Sequence, residues 1–116
     1  MINNDADTIL DTLDENKALD IQRIDVQHLT DITDSIVICT ATSSRHAKTL
    51  ADKVTRECKK QGKRHFAIEG LEDGQWILID FSETIVHIML ESTREFYSLE
   101  KLWAMTETSR QKNSAS

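Results

Sequence analysis

Apolar residues recur along this chain with two periods, one near 3.6 and one of two. The switches between them divide it into elements. The clearest helix spans about Ser44–Gln61. Ala47, Leu50, Ala51, Val54 and Cys58 form one stripe, and Arg45, Lys48, Asp52, Lys53, Arg56 and Lys59 face away. Gly62 stands where a C-terminal stop belongs. A shorter helix is expected over 5–17, with Asp5 as cap and Ala6, Ile9, Leu10 and Leu13 at helical spacing. Ser35–Ala41 is a continuous, largely β-branched run, the pattern of a central strand buried on both faces. Leu19–Val26 alternates, but the alternation slips after Gln22, which predicts a bulged or edge strand. His28–Asp34 reads as one helical turn or a compact connection. Its Asp31 and Asp34 suit caps better than a magnesium pair.

His65–Glu69, Trp76–Phe81 and Thr84–Leu90 read as three further strands. Asp73-Gly74 is a hairpin signal, and Ser82-Glu83 marks a second short turn. Short loops imply antiparallel pairing, whereas the preceding strand–helix–strand unit implies a parallel crossover. The expected architecture is therefore α/β (α+β): a single domain with a mixed sheet of about five strands flanked by helices. A last helix is expected over Arg94–Trp103, with Phe96, Leu99, Leu102 and Trp103 on one side. The domain is expected to occupy 1–104, leaving 105–116 as a polar, disordered tail.

The chain has 116 residues and a formal net charge of −6. That sign repels phosphate backbones and points to a basic partner, most simply a protein. The one basic cluster, Lys59, Lys60, Lys63 and Arg64, lies at the end of the long helix and complements its dipole. No export signal and no membrane-length apolar run is visible, so a cytoplasmic location is expected. Cys39 and Cys58 match no zinc or redox spacing and read as buried thiols.

Catalytic chemistry finds little footing. The turn at Cys39–Arg45 lacks the glycines of a phosphate-binding loop. The order of elements is similar to that of a nucleotidyltransferase, which makes a nucleotide-binding protein or enzyme the alternative reading. Such enzymes need paired acids for their metal ions, and here Ser43-Ser44 is followed by Arg45-His46-Ala47-Lys48. No cofactor or metal is expected, and the four histidines form no ligand pair. His87, within Ile85–Ile88, reads as a core or interface histidine, and His46 as a surface or cap residue. What remains is a surface. On Trp76–Phe81, Ile77, Ile79 and Phe81 form a purely apolar face, while Trp76, Leu78 and Asp80 mix an aromatic, an aliphatic and a carboxylate. The mixed face suits either a cover of terminal helix and loops or a docking interface.

Five stretches together resemble the Iojap-like ribosomal silencing factor family. They are 34–46, Glu69-Gly70-Leu71, Trp76–Phe81, Val86-His87-Ile88 and Arg94–Trp103, in order and at the family's spacing. The resemblance runs from about residue 5 to 104. It implies a five-stranded mixed sheet, usually in a homodimer, and no catalysis. It also implies binding to the large ribosomal subunit through its fourteenth protein (uL14), which sterically blocks the small subunit and represses translation. Direct nucleic-acid specificity and membrane contact are not implied. The partner-binding residues it implies are Trp76, Leu78, Asp80 and Phe81, with Tyr97 and Trp103 on the aromatic helix. Phe81 stands where many members carry Tyr, and Cys39 where a small or β-branched residue is usual.

Overall fold

A computed structural model describes residues 5–97 of the chain. The elements run α1 (Asp5–Glu15), β1 (Leu19–Asp25), β2 (Ser35–Ala41), α2 (Ser44–Lys60), β3 (Ala67–Glu69), β4 (Trp76–Asp80), β5 (Thr84–Leu90) and α3 (Glu91–Tyr97). The expected boundary at 104, the tail and the rest of the last helix, Trp103 included, lie outside the described residues.

The five strands form one sheet in the order β1-β2-β5-β4-β3. β5 is antiparallel to β4, and β4 to β3, as the short loops require. β2 is parallel to β5 and antiparallel to β1. β3 consequently runs in the same direction as β2, but two strands separate them. The crossover through α2 is parallel as expected. Its return strand lies at the far edge, and β5 enters the gap. β2 is thereby paired on both sides, and all seven of its residues are buried.

α1 and α2 pack against each other and cover one face of the sheet. Ile9 and Leu13 of α1 and Leu50 and Val54 of α2 meet Val37, Cys39, Ile77, Ile79, Val86 and Ile88 there. Burying each large aliphatic side chain stabilises the fold by roughly 1.5–3 kcal/mol. α1 also buries Thr8 and Thr12, while Leu10 stays half-buried. The hydroxyls make this tolerable: Thr12 Oγ1 donates to the Thr8 carbonyl, and Thr8 Oγ1 donates to Gln61 Oε1, each at 2.8 Å. The opposite face carries a smaller cluster of Val26, Ile36, Ile38 and Met89, with Ile24, Leu29 and Trp76 against it.

The slipped alternation in β1 is a bulge. Leu19 pairs with Thr40 and Gln22 with Ile38, so β1 holds one extra residue between them. Asp20, inside the bulge, has φ of 47°. The connection 26–34 forms turns, with Val26 N–H donating to the Asp34 carbonyl. α3 begins at Glu91, directly after β5 and three residues before its expected start. An acid in its first turn suits the helix dipole.

Candidate functional site

β4 alternates along its length: Ile77 and Ile79 are fully buried, and Trp76, Leu78 and Asp80 are half-buried on the other face. The pairing register extends that face. Trp76 lies opposite Met89, Leu78 opposite His87 and Asp80 opposite Ile85 on β5. On the outer side Leu78 lies opposite Glu69 and Asp80 opposite Ala67. The mixed face of the sequence is thus a real surface. A half-exposed aromatic and aliphatic pair is bordered by the carboxylates of Asp80 and Glu69.

Trp76 is held at its polar tip. Its Nε1–H donates to His87 Nδ1 at 3.0 Å, with ring centroids 5.8 Å apart and tilted by 42°. The accepting Nδ1 leaves the imidazole proton on Nε2. Burial disfavours the charged ring and lowers the His87 pKa from 6.5 to about 4. The backbone of Trp76 is constrained as well. Gly70 has φ of +88°, and a Cβ there would stand 2.1 Å from the Trp76 carbonyl oxygen. Only glycine permits that approach, which explains the Gly70 of Glu69-Gly70-Leu71, just after β3 in the turn that leads to β4.

Asp80 has a structural duty too. Its Oδ1 accepts from Ser82 N–H at 2.8 Å, closing the turn into β5, where Ser82 has φ of 74°. Phe81 belongs to the other face. It is fully buried in the helix-covered core, 5.4 Å from the Phe66 ring between centroids. The contact role expected for Phe81 is corrected: its side chain supports the sheet from beneath and offers no surface. The alternation itself carried that signal, because Phe81 shares parity with Ile77 and Ile79. Tyr97 ends the described part of α3, and Trp103 lies outside it.

Arg94 is a residue the periodicity did not single out. Its Nη1 donates to the Asp20 carbonyl at 2.6 Å and to Thr40 Oγ1 at 2.9 Å. It ties α3 to the β1 bulge and to β2, at the end of the face where Met89 and Trp76 pair. No local pattern announces a tie across so many residues.

The turn before α2, where a transferase would place its chemistry, is organised by hydrogen bonds of its own. Ser43 caps the helix by accepting from His46 N–H at 3.1 Å. His46 Nδ1 accepts from Thr42 N–H at 3.0 Å, so its Nε2–H donates to the Asn16 carbonyl, also 3.0 Å away. The ring clamps the end of α1 to the start of α2. An open cavity of about 370 Å³ beside it is lined by Lys17, Thr42, Ser43, Arg45, His46 and Thr49, with no carboxylate. Among the described residues no group of three or more His, Cys, Asp or Glu side chains is arranged to hold a metal ion. The basic cluster at the other end of α2 also has local partners. Lys60 pairs with Glu57 at 3.1 Å, and Lys59 Nζ sits 5.4 Å from the Phe66 ring centroid.

A family model described as "Ribosomal silencing factor during starvation" matches residues 2–116. A ribosomal silencing factor of Haemophilus influenzae is 47% identical over 96 residues, covering 83% of this chain and 94% of that protein. A mouse protein named for mitochondrial assembly of the ribosomal large subunit is 35% identical over 104 residues, covering 87% of this chain and 46% of that protein. A crystal structure of a Chromobacterium violaceum protein superposes with a TM-score of 0.83 at 32% identity, covering 86% of this chain and 83% of that one.

Proposed function

The chain belongs to the ribosomal silencing factor family, and from that premise we propose that it silences ribosomes by docking on the large subunit and excluding the small one. The docking partner in this reading is the fourteenth protein of the large subunit, on the surface where the small subunit would otherwise sit. The factor acts by occupancy, in the cytoplasm, as a homodimer, with no catalytic step and no cofactor.

One observation carries the reading: the half-buried Trp76 and Leu78 stand on a strand whose reverse side is sealed into the core. A rigid aromatic–aliphatic pair bordered by carboxylates is the usual anatomy of an interface anchor. The net charge of −6 favours a basic protein over the RNA around it. The name of the mouse relative, which mentions the ribosomal large subunit, agrees with the choice of subunit.

Co-sedimentation with purified large subunits tests this. Trp76→Ala and Leu78→Ala should each weaken binding by about thirtyfold or more, the size of a hot-spot truncation. Asp80→Asn is the informative change at the third position, because the amide keeps an oxygen for Ser82 N–H while the charge is removed. Added wild-type protein should raise the free-subunit peaks of a sucrose gradient at the expense of assembled ribosomes. Wild-type binding by folded Trp76→Ala and Leu78→Ala proteins would remove this face from the assignment.

A further inference from the structure

We propose that His87 is a positioning residue of the docking surface: its Nδ1 holds the indole of Trp76 in the orientation that meets the partner. The inference rests on the reading of that face given above. It adds a residue that does not itself have to touch anything on the ribosome.

The geometry starts from register. His87 faces Leu78 across β4–β5 and Ile38 across β2–β5, so it sits in the middle of the sheet face. Trp76 is its diagonal neighbour, two residues from Leu78 on the same side of β4. A diagonal pair is within reach only of long or aromatic side chains. Here the reach ends in a hydrogen bond of 3.0 Å from the indole N–H to the imidazole. His87 is buried and Trp76 is half-buried. The bond therefore fixes the torsion of a half-buried aromatic from a site that solvent hardly enters.

A purely structural pair would behave differently. An aliphatic residue at 87 would suit the neighbouring Ile36, Ile38 and Met89 cluster and would spare a buried polar atom. The histidine provides an acceptor aimed at one atom of the anchor. An anchor already held in its bound rotamer loses less freedom on docking, and affinity gains accordingly.

The test compares His87→Leu, His87→Asn and His87→Gln in the full chain. The Asn side-chain oxygen falls near the place of Nδ1, whereas the Gln oxygen falls beyond it. Folding is checked by circular dichroism. Affinity for purified large subunits is measured beside the indole ¹H–¹⁵N resonance of Trp76, assigned with Trp76→Phe. His87→Leu and His87→Gln should bind about tenfold more weakly, the worth of one hydrogen bond, with the indole proton moved upfield. His87→Asn should bind within about threefold of wild type and keep the resonance near its place. If His87→Leu does not fold, the contrast between Asn and Gln decides. Wild-type affinity in His87→Leu or His87→Gln, with binding lost in Trp76→Ala, would overturn the inference and leave the docking face standing. Wild-type affinity in Trp76→Ala would remove the face and the positioning role together. That outcome is separable, because the resonance would still report whether His87 holds the ring.

Discussion

The neutral imidazole of His87 is part of the folded state, and this makes the molecule sensitive to acid. Its pKa is about 4 in the fold against 6.5 for an unperturbed histidine, because burial penalises the charged ring. Above pH 6.5 both folded and unfolded chains carry the ring neutral, and it contributes no pH dependence. As pH falls from 6.5 towards 4, the unfolded chain takes up a proton that the folded chain refuses, so stability decreases. The loss levels off below pH 4 and amounts to about 3 kcal/mol in all. Urea unfolding of wild type and His87→Asn at pH 7.5, 5.5 and 4.5 should show the wild type losing more stability on acidification, with a slope steeper by up to one proton. Equal slopes would mean that the ring is not shielded. Other residue-scale facts are of mixed legibility. The shared face of Trp76, Leu78 and Asp80 follows from alternation alone, and so does the burial of Phe81. The bond from Ser82 N–H to Asp80 and the two bonds from Arg94 do not, because each depends on where the backbone turns.

Elements defined by long, unbroken patterns lie where the chain predicts them. β2 and β5 match the expected Ser35–Ala41 and Thr84–Leu90, and α2 ends one residue short of the expected Gln61. β3 is shorter than expected, with Ala67 and Glu69 exposed on an edge that pairs on one side only. Edge strands have few partners to extend them. The first turn of α2 depends on Ser43, whose Oγ takes the His46 N–H. Ser43→Ala should lower the unfolding free energy by about 1 kcal/mol, the usual worth of a helix cap. Ser43→Asp should keep it, since an acid can accept the same bond and favours the positive end of the dipole. Thermal or urea melts of the two variants check this. A loss in both would mean that the hydroxyl serves something other than the cap.

Among the described residues the sheet has its chemistry-poor, helix-covered core on one side and its mixed face on the other. Both cysteines are buried in the helix-covered layer. Burial pushes Cys39 up to about 12, with Arg94 opposing weakly, so almost no thiolate exists at neutral pH. Thiol–disulfide exchange at either thiol in the native protein should therefore wait for the fold to open. With a colorimetric disulfide reagent, both should react slowly in buffer and at once in denaturant. Fast labelling of one thiol under native conditions would reveal a local opening of that layer. No helix among the described residues is long and apolar enough to cross a membrane.

Among the described residues, the sequence by itself determined the number and type of elements, the mixed sheet, and the division of β4 into a core side and a surface side. Each follows from periods of two or 3.6 residues, which the backbone imposes locally whatever the rest of the chain does. Only the tertiary structure decided that β5 inserts between β2 and β4, and that insertion places His87 diagonally from Trp76. Pairing between distant strands is chosen by global burial, which no window of neighbouring residues contains. The hydrogen bond that aims the anchor is a product of that choice.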